Sequence, residues 1–181
     1  MAIGLNPERL SRRALLGTCC ALASPWALGQ YRHGPWTGPD PVPWLEGTDL
    51  NGREWSLRRM TGQVIVLNFW ATWCPPCVEE LPSLQWLSEN SPNDQVVLTV
   101  NVKEGGQKVQ RFLQTLDLNL PTLLDRRGEW TRRLGIGSLP TTLLISSTGQ
   151  TIQVVQGEVN WASAQAQAWI QALKAPLRTK T

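Results

Sequence analysis

The sequence predicts an α/β fold in which a mixed central sheet is flanked by helices. Three observations predict it. Val64 to Trp70 is a near-continuous apolar run, the pattern of a strand buried on both faces. Extended runs of this kind alternate with segments of helical period, which implies a sheet with helices packed on it. Two short extended runs and an amphipathic segment then close the chain at about Leu173.

Taken in order, Trp44 to Trp55 reads as an N-terminal β-hairpin about Asn51-Gly52, a favoured two-residue turn. The buried strand Val64–Trp70 follows. Cys74 to Leu87 has apolar residues at Val78, Leu81, Leu84 and Leu87, so a helix is expected there. Pro82 lies inside it and, lacking an N–H, should kink it. Val96 to Val100 is a second buried strand. Gln107 to Leu116 is a helix with Val109, Phe112, Leu113 and Leu116 on one face. Leu120–Asp125 is a short extended piece and Glu129–Leu134 a short helix. Thr141–Ile145 and Ile152–Val155 are strands joined at Ser147-Thr148-Gly149-Gln150, and Trp161–Leu173 is the closing helix.

The 181 residues are 41% apolar and 17% charged, enough for one domain with a sizeable core. Ten Trp stand against two Phe and one Tyr, a skew read as core and surface filling. Residues 1–29 read as an export signal, or an anchor if it is retained. Arg9, Arg12 and Arg13 precede an uncharged stretch from Ala14 to Leu28, shorter than the roughly 20 apolar residues of a membrane span. Ser11 to Leu16 resembles a twin-arginine signal, and Ala27-Leu28-Gly29 offers a cleavage site, with Ala21-Leu22-Ala23 as second choice. The destination is the periplasm. Without this segment the net charge falls from +3 to +1 and no basic patch remains, so nucleic acid is not an expected partner. Residues 30–43 read as a Pro/Gly-rich linker in which His33, the single histidine, is solvated. Residues 44–174 form the domain and 175–181 a C-terminal tail.

Of four cysteines, Cys19 and Cys20 fall inside the export signal, after Leu16-Gly17-Thr18, a poor lipoprotein box. The exported part keeps Cys74 and Cys77. Two cysteines at i and i+3 opening a helix lie within disulfide reach. Cys74 falls at the helix N-terminus, where unpaired N–H groups and the helix dipole favour a negative sulfur. It is therefore the expected attacking thiolate, and Cys77, one turn deeper, resolves the mixed disulfide. Pro76 fixes the backbone between them and removes an N–H from the neighbourhood of the Cys74 sulfur. A zinc site would need two further Cys or His ligands, and the exported chain offers only His33, so no metal is expected.

Phe69-Trp70-Ala71-Thr72-Trp73-Cys74-Pro75-Pro76-Cys77, then Glu80-Leu81-Pro82, resembles the TlpA/ResA-like branch of the thioredoxin superfamily. Leu139-Pro140-Thr141-Thr142 resembles that family's cis-proline segment and Gly149 its following turn. The resemblance runs from about Val42 to Leu173. It implies a thioredoxin-like fold with a central strand–helix insertion, about Val97 to Asp125. It implies a cis Leu139–Pro140 bond facing the disulfide, with the Leu139 backbone open to a substrate strand. Trp73, Pro75 and Pro76 complete the expected substrate contacts. Asn68 stands where thioredoxins carry a buried Asp and cannot act as a base. Glu80, three residues past Cys77, is the expected proton relay, as the family pattern also has an acid there. Glu79 lies off that face and reads as solvated.

The implied activity is thiol–disulfide exchange in the reducing direction, of the cytochrome c maturation or copper-centre assembly type. The implied partners are exported cysteine-containing proteins and a membrane electron donor of thiol–disulfide type. No cofactor is needed, and the protein is expected to be a monomer. Alternatives are a disulfide oxidant, since direction depends on the partner's potential, and a Cu(I)-handling thiol module. A peroxidase is disfavoured because Thr72-Trp73-Cys74 lacks the Pro-x-x-x-Thr-x-x-Cys frame.

Overall fold

The computed structural model describes residues 31–38 and 45–174. The export signal, Cys19, Cys20, most of the linker's second half and the C-terminal tail lie outside them. Eight strands and four helices are described: β1 Tyr31–Pro35, β2 Glu46–Thr48, β3 Glu54–Ser56, β4 Val64–Trp70, α1 Pro75–Glu89, β5 Gln95–Val102, α2 Gly106–Thr115, β6 Thr122–Asp125, α3 Glu129–Arg133, β7 Thr141–Ile145, β8 Ile152–Gly157 and α4 Ala164–Lys174. Six strands form one sheet in the order β1-β8-β7-β4-β5-β6. β4, β5 and β6 run parallel, and β7, β8 and β1 are added antiparallel, so the sheet is mixed as expected.

Side-chain parity on the strands divides the core in two. Val64, Val66 and Trp70 of β4 pack with Leu81, Leu84 and Leu87 of α1, Val109 and Leu113 of α2, and Ile170 and Leu173 of α4. Ile65, Leu67 and Phe69 face the other way, onto Trp55, Leu57, Leu98, Leu134 and Leu143, with Trp130 of α3 against them. Helices thus flank both faces unevenly. Three cover one face, while the second is closed mainly by the β2–β3 hairpin and a 3-10 turn at Leu57–Arg59. The hairpin is pinned by Asp49, whose carboxylate accepts the N–H groups of Asn51, Arg53 and the Trp55 indole. Gly52 takes the left-handed turn position at φ +83°.

Three expectations are corrected. Residues 30–43 are not linker throughout, because Tyr31–Pro35 is an edge strand with five residues paired to β8. Pro and Gly are tolerated there because an edge strand needs ladder bonds on one side only. His33 is exposed but not merely solvated. Its ring stacks on Trp169 of α4 at 4.1 Å between centroids, and its Nε2 bonds Gln153 Oε1 at 2.8 Å. The helix opening at the cysteine motif begins one residue later than expected and runs unbroken through the exposed Pro82 to Glu89. Among the described residues no helix is long and apolar enough to cross a membrane.

Candidate active site

β4 ends at Trp70, and Ala71-Thr72-Trp73 turns the chain into α1. Cys74 is the N-cap of that helix in extended conformation, and Pro75 and Pro76 occupy its first positions. Prolines fit there because the first helical N–H groups have no intrahelical partner. Cys74 N–H bonds Ala71 C=O at 3.2 Å, and Val78 N–H bonds Cys74 C=O at 3.1 Å, closing the first turn. Cys74 and Cys77 are joined as a disulfide, with Cα atoms 5.3 Å apart. Cys77 is fully buried and Cys74 is 5% exposed, whereas neighbouring Trp73 is 63% exposed. Pro75 is exposed, and Pro76 and Leu139 are half-buried. Leu139–Pro140 is a cis peptide at the mouth of β7. Pro140 C=O accepts the Gly157 N–H at 2.9 Å, which ties this turn to β8.

Behind the cysteines lies Glu80, 1% exposed on the same helix as Cys77. Its Oε1 accepts Asn68 Nδ2–H at 2.6 Å. Its Oε2 accepts the Val159 N–H at 3.1 Å and the Trp161 indole N–H at 3.4 Å. Burial pushes this carboxyl from its ordinary 4.5 up to about 8, against the lowering pull of Val159, Asn68 and Trp161 and with help from nearby Glu158. Asn68 sits on the α1-facing parity of β4 and donates a second bond to Thr142 Oγ1 at 2.9 Å. Glu79 is exposed, as expected, and interacts with Glu158, whose carboxyl is raised by burial and then by Glu79.

A second carboxylate went unseen in the sequence. Glu104, just past β5, receives the Thr72 N–H at 2.7 Å, Thr72 Oγ1–H at 2.6 Å, Asn101 Nδ2–H at 2.9 Å and Lys108 Nζ at 2.6 Å. Burial raises its pKa, but these four donors together outweigh burial and hold it down at about 2. It therefore anchors the turn two residues before Cys74. The signal available was an acid two residues after a buried strand, level with the end of β4. Among the described residues no three His, Cys, Asp or Glu side chains gather as a metal site.

The model of the family described as Redoxin matches residues 38–170. The chain belongs to the Redoxin family. Among its relatives, thiol-disulfide oxidoreductase ResA of Geobacillus thermodenitrificans is 37% identical over 111 residues, covering 61% of this chain and 64% of that protein. ResA of Bacillus thuringiensis subsp. konkukian is 35% identical over 112 residues, 61% and 65% of the two chains. The matched stretch thus spans just under two thirds of these curated relatives. Among solved structures, StoA from Bacillus subtilis superposes with a TM-score of 0.63 at 28% identity, over 72% of this chain and 98% of that one. The exposed lipoprotein thioredoxin Etrx1 of Streptococcus pneumoniae gives 0.61 at 28% identity, over 72% and 97%. This Redoxin domain accordingly has the thioredoxin-like fold, in its ResA-like form with an added N-terminal strand and a helical insertion.

Proposed function

We propose that this Redoxin protein is a thiol–disulfide oxidoreductase that reduces disulfides in exported cysteine-containing proteins. The observation that carries the reading is the Cys74–Cys77 pair at the N-terminus of α1 with a buried carboxyl, Glu80, three residues further on. The names of its ResA relatives support the activity, and the name of Etrx1 as an exposed lipoprotein supports a place outside the cytoplasm. Residues 1–29 read as an export signal agree with it. The resemblance to TlpA/ResA-like proteins favours substrates of the cytochrome c maturation or copper-centre assembly type, with electrons from a membrane thiol–disulfide donor.

In the reaction, the Cys74 thiolate attacks a substrate disulfide, forms a mixed disulfide and releases one substrate thiolate. The Cys77 thiol passes its proton to ionised Glu80, and its sulfur attacks Cys74 Sγ. The Cys74–Cys77 disulfide forms, the second substrate thiolate leaves, and two electrons have moved to the substrate. Glu80 ends protonated. Its pKa of about 8 in the disulfide form fits that state at neutral pH. Trp73, Pro75, Pro76, Leu139 and Pro140 supply the rim on which the substrate chain lies.

Near neutral pH, Glu80→Gln is expected to slow decay of the mixed disulfide at least about tenfold, a floor set below the about 10²–10⁴-fold that general-base help typically contributes. Its formation by Cys74 should change less. Single-turnover reduction of a model disulfide, with formation and decay followed separately, measures both. Unchanged decay would remove Glu80 from the proton path. Labelling of the reduced protein with limiting alkylating reagent at about pH 6 should fall on Cys74; a label mainly on Cys77 would reverse the two roles.

A further inference from the structure

The protonation of Glu80 raises a question of geometry. Its Oε2 is already committed to two donors, the Val159 N–H and the Trp161 indole. A proton on Oε2 would meet both of them. Oε1 is the atom left to carry it, and Oε1 faces Asn68 Nδ2 at 2.6 Å. There the new O–H would point at an N–H, and two donors cannot share one bond. Asn68 holds the complementary group in reserve. Its Oδ1 is buried and accepts no hydrogen bond. A buried acceptor left in this way is costly.

We infer that Asn68 is a positioning residue whose side-chain amide turns over when Glu80 takes its proton, reversing the Asn68–Thr142 hydrogen bond at the same time. The arrangement observed, with Nδ2 donating to Glu80 Oε1 and to Thr142 Oγ1, is the one that suits an ionised Glu80. With Glu80 protonated, Oδ1 occupies the same place and accepts from both Glu80 O–H and Thr142 O–H. One half-turn of the amide replaces a donor by an acceptor toward both Glu80 and Thr142 without moving a strand. Thr142 sits two residues beyond the cis bond, on β7, opposite Asn68 in register. The proton on Glu80 is thereby communicated to the strand that begins at Pro140.

The groups facing Glu80 are Asn68 from β4, Val159 and Trp161 from the segment before α4, and Glu158 as the nearby charge, while Cys77 lies three residues earlier on the same helix. Only Glu158 shares the titration range of a carboxyl, and it acts on Glu80 through space.

This inference rests on Glu80 as proton carrier, so the test separates the two. In oxidised, isotopically labelled protein, the Asn68 Nδ2 protons and the Glu80 Cδ are followed by NMR from about pH 6 to about pH 10, either side of the Glu80 midpoint. Both Nδ2 protons are expected to shift with the Glu80 midpoint. In Glu80→Gln the neutral amide presents a donor to Asn68, so the Asn68 resonances should keep their low-pH position at every pH. Asn68→Leu removes a bond to the ionised form and should raise the Glu80 midpoint by about one unit. Thr142→Val should displace the pH profile of mixed-disulfide decay, and Thr142→Ser should restore it. An Asn68 amide that stays put while Glu80 titrates would overturn the inference, with the slow decay of Glu80→Gln unaffected. Normal decay in Glu80→Gln would instead overturn the proton relay, whatever the amide does.

Discussion

Glu80 and Glu104 are buried carboxylates on the same chain, yet their surroundings drive them apart. Glu80 receives only neutral donors and lies near Glu158, so burial wins and the proton is held to about pH 8. Glu104 receives a lysine and both donors of Thr72, so it stays ionised to about pH 2. The first suits a group that exchanges protons, and the second suits a fixed anchor. Hydrogen bonds to charged groups contribute about 1.5–3 kcal/mol each when deletion leaves a partner unpaired. Glu104→Ala strands the buried Asn101 amide and frees the turn before Cys74. It is expected to lower stability by about 2–4 kcal/mol, read from urea unfolding. It should also slow formation of the mixed disulfide more than its decay. Wild-type formation kinetics in that variant would mean that the turn is positioned by the first turn of α1 alone.

At the level of elements, strand parity decides what the site contains. Even-numbered residues of β4 face α1, so Asn68 meets Glu80, and Thr142 meets Asn68 by register. This was legible in principle: the strand, the helix and both residues were all visible in the sequence, and a period of two joins them. Glu104 was not legible, because its partners Thr72 and Asn101 come together only through the parallel pairing of β4 with β5. Periodicity identified the strands and helices of the sheet, and the cysteine spacing identified the reactive pair. β1 was missed because Arg32-His33-Gly34-Pro35 has no apolar alternation and its pairing partner lies more than 100 residues away. What holds it is its ladder with β8 and two aromatic contacts from its first and third residues, Tyr31 edge-on and His33 stacked against Trp169. His33→Ala is therefore expected to cost about 1 kcal/mol. Trp169→Ala should cost more, since both contacts go, and should raise amide exchange along β8 from Ile152 to Gly157. Equal exchange in the two variants and the wild type would show that the ladder alone suffices.

For the whole molecule, the two carboxylates set opposite slopes of stability against pH. An unfolded Glu80 releases its proton near 4.5, while the folded one keeps it to about 8. Between those values the native state binds more protons, so stability falls as pH rises and levels off above about 8. Glu104 works in the other direction. Its folded pKa lies at about 2, below the unfolded 4.5, so its contribution is present above pH 4.5 and is lost as pH falls toward 2. The oxidised domain should therefore be most stable near pH 5, and less so at neutral pH. The Glu80 contribution amounts to about 4 kcal/mol between pH 5 and pH 8, taking 1.36 kcal/mol per unit. Urea unfolding of the oxidised protein at fixed ionic strength across this range measures the slope. Glu80→Gln has no carboxyl to titrate and should show a nearly flat profile from pH 5 to pH 8, crossing above the wild type at the alkaline end. Glu104→Gln should keep the wild-type fall above pH 5 and lose the acid limb below 4.5. A wild-type slope that survives in Glu80→Gln would place the titrating group elsewhere and leave Glu80 ionised throughout, which would also remove the proton that the active-site network is built to hold.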